Sequence, residues 1–128
     1  MSLSFDPKKD GLIIVPTRLF GPKKDTAVRL ALDTGAMDSM INASALFLVG
    51  YDSSFIQERV QLTTGSGVKW VPRMVLSEMN ALDLTRKNYS VLCHNLPASA
   101  TVDGVLGLDF FRDHKLEIDF RNGSVELS

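Results

Sequence analysis

A small, mostly β domain, closed into a barrel or folded as a sandwich, is what this sequence predicts. Three observations lead there. Short apolar runs rich in β-branched residues recur along the chain, several alternating inward and outward every second residue. Turn clusters separate them, at Gly21-Pro22-Lys23-Lys24-Asp25, Thr64-Gly65-Ser66-Gly67 and Asn122-Gly123. Helical signals are confined to one or two short stretches. The 128 residues suffice for one domain and are few for two.

Taken in order, residues 1–10 read as an N-terminal extension, whose first residues a cloning vector could have supplied. Residues 11–128 read as a single domain. Leu12-Ile13-Ile14-Val15 is a β-branched run followed by Pro16. Proline donates nothing to a ladder, so this strand lies at an edge or bulges near Pro16. In Thr26–Leu32 the residues Val28, Leu30 and Leu32 share one face of a strand. Asn42 caps a short helix over Ala43–Val49 that Gly50 stops, although the consecutive apolar residues Leu46–Val49 also fit a buried strand. Arg59–Thr63 and Val68–Leu76 form a long hairpin with a glycine-rich tip. Trp70, Met74 and Leu76 alternate onto one face, and core packing is favoured for Trp70 and Met74 over lining a substrate pocket. Asn88–Cys93 is a further strand. A short helical turn follows Val102–Gly107, at Leu108-Asp109-Phe110-Phe111-Arg112. In Lys115–Phe120 the residues Leu116, Ile118 and Phe120 point inward, and Asn122-Gly123 reads as a two-residue hairpin turn to Val125–Leu127.

Composition excludes several classes. The net charge is −1, with signs interspersed and basic doublets only at Lys8-Lys9 and Lys23-Lys24, so no nucleic-acid footprint or membrane-surface patch is evident. The N-terminus has no apolar stretch typical of a leader or a span. Cys93 is the single cysteine, which rules out an internal disulfide and fits a buried small hydrophobe. A reducing compartment is compatible with this, which favours the cytoplasm; a longer natural chain could be periplasmic or membrane-tethered. His94 and His114 have no metal-ligand spacing with Cys93 or with each other, so no metal is expected.

The chemistry is carried by Asp33-Thr34-Gly35-Ala36, which follows the apolar strand and occurs once. An Asp-Ser/Thr-Gly triplet arises by chance in about one chain in twenty of this length. It also makes a plain turn. Its context sharpens it: the glycine-tipped hairpin in mid-chain, and Asp103-Gly104-Val105-Leu106-Gly107 later on. Hydrolysis of a peptide by carboxylates needs a base to activate water and an acid to polarise the carbonyl. Two aspartates about 3 Å apart share one proton and divide these roles. One such motif in the chain would make it half of a site.

Leu32-Asp33-Thr34-Gly35-Ala36, the tip Gly65-Ser66-Gly67 and the run Asp103-Gly104-Val105-Leu106-Gly107-Leu108-Asp109-Phe110-Phe111 together resemble the retropepsin-like aspartic proteases, in the family's order, from about Gly11 to the C-terminus. The resemblance implies a small closed acid-protease barrel that works as a homodimer on peptide or protein substrates, without a cofactor. It implies that Asp33 is the catalytic carboxylate and that Thr34, Gly35 and Ala36 support its loop. Thr34 would interlock with its copy beneath the dyad. Gly65, Ser66 and Gly67 would tip a flap over substrate, and Val105-Leu106-Gly107 would pack beside the Asp33 loop. Asp38, near the motif, either contacts substrate or lies in a solvated turn. Asp103 reads as a turn residue, and Asp109 as the cap or start of the short helix. A catalytically silent, dimeric peptide-binding domain of the same fold is the alternative.

Two departures stand out. Retroviral members pair an acidic residue with an arginine at the positions held here by Met37 and Leu108. Both partners are apolar together, so no charge is left unpaired. Pepsin-like sites often carry Ser or Thr where Ala36 stands, and Ala36 offers no hydroxyl to a carboxylate. The expected activity optimum is therefore mildly rather than strongly acidic.

Overall fold

A computed structural model describes residues 2–9 and 11–128; Met1 and Asp10, both in the N-terminal extension, lie outside them. The described residues form β1 (Ser2–Ser4), β2 (Ile14–Phe20), β3 (Asp25–Leu32), β4 (Met40–Asn42), α1 (Ala43–Val49), β5 (Ile56–Thr64), β6 (Gly67–Ala81), β7 (Leu84–His94), β8 (Gly104–Leu106), β9 (Leu116–Asp119) and β10 (Ser124–Leu127). Tight 3-10 turns lie at Ser53–Phe55 and Leu108–Phe111. No helix among the described residues is long and apolar enough to cross a membrane.

Strands β2, β3, β8, β4, β7 and β6 are hydrogen-bonded in that order, and β6 returns to β2, closing a barrel. Closure pairs each strand of the ring with a neighbour on both sides over part of its length. β5 extends outside the ring from β6, and β1, β10 and β9 form a separate antiparallel sheet. Pro16 pairs with Arg29 on β3, while β6 joins β2 only from Thr17 onward. The missing N–H thus falls where one side of β2 is still open.

The ring is filled by apolar side chains from every wall. Leu19, Leu30, Ile41, Leu76, Met79, Leu106 and Phe110 are fully buried, and α1 adds Leu46 and Val49. Cys93 sits in this core as a small hydrophobe. Gly50, in the left-handed conformation, ends α1 as expected. Asn42 stands before the helix but does not cap it; its side-chain Oδ1 accepts the Leu96 N–H at 3.3 Å.

Three expectations are corrected. Trp70 is 62% exposed, whereas Met74 and Leu76 are buried. β6 serves two environments: from Arg73 it pairs with β7 in the ring, and before that with β5 alone. Trp70 lies in that outer stretch, beyond the ring, where the neighbouring Val71 is buried and Trp70 is not. Phe120 is 68% exposed, because β9 ends at Asp119. It lies edge-on to Phe5 instead, with ring centroids 6.0 Å apart. The β9–β10 turn is wider than Asn122-Gly123, since Asp119 pairs with Ser124. The Asp119 carboxylate accepts the N–H groups of Arg121 (2.9 Å) and Asn122 (3.0 Å), a side-chain turn that competes with the tight hairpin.

One feature of the ring positions the site. β8 lies between β3 and β4, parallel to the first and antiparallel to the second. Residues 33–39, which leave β3 and enter β4, must therefore pass around the end of β8.

Candidate active site

Asp33 is the first residue after β3, and its backbone N–H donates to Leu106 O at 3.0 Å. Its Oδ1 accepts the Gly35 N–H at 2.9 Å, and the Ala36 N–H donates to Asp33 O at 3.2 Å. The carboxylate is thus held by its own turn and remains partly open to solvent, with Thr34 and Gly35 exposed beside it.

The run Gly104–Asp109 is threaded against this loop. Leu108 N–H donates to Ala36 O (2.9 Å) and Asp109 N–H to Met37 O (3.1 Å). Two glycines permit the approach. A Cβ on Gly104 would stand 1.9 Å from Met40 O, and one on Gly107 would stand 2.7 Å from both Asp38 C and O. Side chains never tolerate such distances, so the backbones meet only because both residues are glycine. Met37 and Leu108 come to the same surface, 77% and 46% exposed.

Below the loop lies a polar cluster that motif reasoning missed. Ser39 is fully buried, and its Oγ accepts the Gly107 N–H at 2.9 Å. Its N–H donates to Asp109 Oδ1 at 3.2 Å, and its carbonyl accepts the Leu92 N–H at 2.9 Å. The Tyr89 hydroxyl lies 2.6 Å from Asp109 Oδ1 and 2.9 Å from Ser39 Oγ. Burial pushes the Asp109 carboxyl above the ordinary carboxylate range, and the nearby charge of Asp38 adds to this; hydrogen bonds from Tyr89 and Ser39 oppose it. The Tyr89 hydroxyl is pushed far up by burial, then by its bond to Asp109. Asp109 lies in the first turn of Leu108–Phe111, at the start of the helical turn as expected, although the N-cap position is Gly107. Arg86 closes the far end, its guanidinium donating to Phe110 O (3.0 and 2.9 Å) and Arg112 O (2.6 Å).

Asp103 also does more than turn the chain. Its Oδ2 accepts the Arg29 N–H at 2.8 Å, and its backbone exchanges hydrogen bonds with Arg29 and Asn42. The only sequence trace of Ser39, Tyr89 and Arg86 was their polarity within apolar strands or at strand ends, which does not name a partner.

Asp38 faces Arg73 on β6, with Nη1 3.8 Å from Oδ1, while Arg73 Nε lies 3.1 Å from Glu58 on β5. The Glu58 contact lacks the direction of a hydrogen bond. Partly exposed pairs of this kind contribute about 0–1 kcal/mol. They tie the base of the β5–β6 hairpin to the loop. Gly65 and Ser66 form the hairpin tip, with Thr64 paired to Gly67, and Gly65–Gly67 are all exposed. The asymmetry of the hairpin is plain: Val60 and Leu62 are half-buried on one face, while Gln61, Thr63, Val68 and Trp70 are exposed on the other.

A family model described as aspartyl protease matches residues 15–110, most of the chain. The chain belongs to the aspartyl protease family. Its fold is similar to the crystal structure of a retropepsin-like aspartic protease from Rickettsia conorii, with a TM-score of 0.70 over 98% of each chain at 15% identity. Among curated proteins, none matches this chain. The closed barrel is thus the retropepsin-like fold, and family and fold together support proteolytic activity in general.

Proposed function

We propose that two copies of this chain assemble one aspartic endopeptidase site, each contributing Asp33. The observation that carries the reading is the uncovered surface around that residue. A half-open carboxylate, exposed Thr34 and Gly35, and the uncovered apolar side chains of Met37 and Leu108 lie together on one loop system. A two-fold axis beside Thr34 would bring the two carboxylates together and cover those side chains. Met37 and Leu108 would then supply apolar contact where retroviral members carry an ion pair.

In the assembled site one Asp33 is ionised and takes a proton from water, which attacks the scissile carbonyl carbon. The other is protonated and donates to the carbonyl oxygen. The tetrahedral intermediate collapses as the leaving amine nitrogen takes a proton. Thr34, Gly35 and Ala36 shape the loop. The Gly65-Ser66-Gly67 tip covers an extended peptide held by backbone hydrogen bonds, as in strand addition. Asp38 borders that groove. Residues 11–128 form the catalytic domain.

Incubation with a diverse peptide mixture from about pH 4 to 7 tests this, with new termini read by mass spectrometry. Wild type is expected to cleave internally, and Asp33→Asn at least about 10²-fold more slowly. A shared site makes a further demand. Mixing and re-equilibrating wild type with equal Asp33→Asn should leave roughly a quarter of the dimers active, below the half expected of independent sites. Activity that tracks wild-type subunits linearly would remove the shared dyad, and no cleavage by a sedimenting dimer would favour a silent peptide-binding domain.

A further inference from the structure

We propose that Asp109 is a positioning residue for Asp33, acting through Ser39. The inference rests on the proteolytic reading of Asp33 and goes beyond it, because it assigns a task to a carboxylate that the reaction does not use.

The contacts of Asp109 Oδ1 all lead away from its own turn. The Tyr89 hydroxyl reaches it at 2.6 Å, the Ser39 N–H at 3.2 Å and the Ser39 Oγ at 3.4 Å. Ser39 is the last residue before β4 and has no exposed surface. Its Oγ is taken by the Gly107 N–H. The loop that begins at Asp33 is therefore pinned at both ends to the same segment. At its start Asp33 N–H meets Leu106 O, and at its finish Ser39 meets Gly107 and Asp109. Between these, Ala36 and Met37 accept from Leu108 and Asp109. Without an acceptor at position 109, the Ser39 N–H would be left unsatisfied in a buried site, and the Tyr89 hydroxyl would keep only Ser39 Oγ, at 2.9 Å, as a partner. Buried donors in that state relax by moving the backbone that carries them. The backbone here is the loop that places the Asp33 carboxylate, and misplacement of a reacting group by about 1 Å can cost about 10²-fold in rate.

The test compares Asp109→Ala, Asp109→Asn and Tyr89→Phe in the full chain. Asparagine keeps an oxygen acceptor without the charge; alanine keeps neither. Cleavage of one defined peptide gives kcat and KM, and amide hydrogen exchange of residues 34–39 reports the loop directly. The expected result for Asp109→Ala is a fall in kcat of about 10- to 100-fold, KM within about twofold, and faster exchange at 34–39. Asp109→Asn should recover most of the kcat and the slow exchange. Wild-type kcat in the alanine variant, or equal impairment in alanine and asparagine variants, would overturn the proposal. Should Asp109→Ala not fold, Tyr89→Phe decides, since it removes the closest donor and keeps the carboxylate. A several-fold lower kcat with faster exchange at 34–39 supports the positioning, and wild-type values of both overturn it. If wild type cleaves no peptide, the proteolytic reading fails by itself. The exchange rates then judge the grip alone: faster loop exchange in alanine than in asparagine keeps it, and equal rates end it.

Discussion

Two glycine-bearing turns of this protein, the Asp33 loop and the β5–β6 hairpin tip, look alike in sequence and are held in opposite ways. Residues 33–39 are tied to 106–109 by backbone and side-chain hydrogen bonds, and Gly107 there, like Gly104 just before it, is a site of close backbone contact. The hairpin tip is tied chiefly by its own ladder, and a Cβ on Gly65 would meet nothing within 4 Å. The difference teaches that glycine has two distinct uses here. In one it lets two segments of backbone touch; in the other it stands at an exposed tip where a side chain would meet nothing. A loop that must hold a carboxylate in place and a flap that must open and close would need these two solutions.

The strongest way to break this comparison is chemical. Asp33→Asn should lower peptide cleavage by about 10²- to 10⁴-fold, the typical contribution of a general acid–base group, and leave the melting temperature nearly unchanged. Residual cleavage near the wild-type rate would shift the reactive centre away from the loop.

The next test is mechanical. Gly104→Ala forces a Cβ into the Met40 carbonyl and should cost about 3 kcal/mol or more. Calorimetry should show a Tm lower by about 10 °C or more. Gly65→Ala should stay within about 0.5 kcal/mol of wild type, as for other open surface positions. Equal losses at both sites would erase the distinction. A parallel pair addresses β6. Leu76→Ala opens the core and should cost about 2–5 kcal/mol, while Trp70→Ala should cost about 0.5 kcal/mol or less.

These contrasts also mark what could be read from the residues alone. The mostly β class was legible because alternation in Val28-Leu30-Leu32 and Leu116-Ile118 survives folding unchanged. The strand β4 was not, because Met40–Asn42 is too short to show a period. Trp70 misled for a different reason: alternation assigns a face but not its cover, and Trp70 lies where β6 pairs with β5 alone, outside the ring. At the candidate site, the glycines of 103–107 were visible as a motif, and the fold gives their reason in Met40 and Asp38. Ser39, Tyr89 and Asp109 lie far apart in sequence and meet only because β8 threads between β3 and β4. No local pattern encodes such a meeting.

A smaller effect concerns the donor missing at Ala36. Ala36→Ser would place a hydroxyl near the Asp33 carboxylate. A hydrogen bond to a charged group is worth about 1.5 kcal/mol, equivalent to about one pH unit. The acid limb of the pH–rate profile should move down by about that amount. An unmoved limb would mean that the new hydroxyl does not reach the carboxylate.

The finest test asks whether the buried end of the Asp33 loop behaves electrostatically as its burial requires. Asp109 is raised above the ordinary carboxylate range, first by burial and then by Asp38, so the folded chain holds this proton more tightly than the unfolded chain does. Between the unfolded value and the folded one, the folded state therefore binds more protons, and stability contributed by this group falls as pH rises. Below the window the contribution is fully present; above it, the charge is kept buried at a cost that the hydrogen bonds from Tyr89 and Ser39 only partly offset. Asp109→Asn carries no titrating proton and removes that fall. Melting curves of the two proteins should diverge in favour of the variant as pH rises above the ordinary carboxylate range. Curves that stay parallel would mean that Asp109 titrates alike folded and unfolded, and the contrast between a buried anchor and an open flap would lose its electrostatic half.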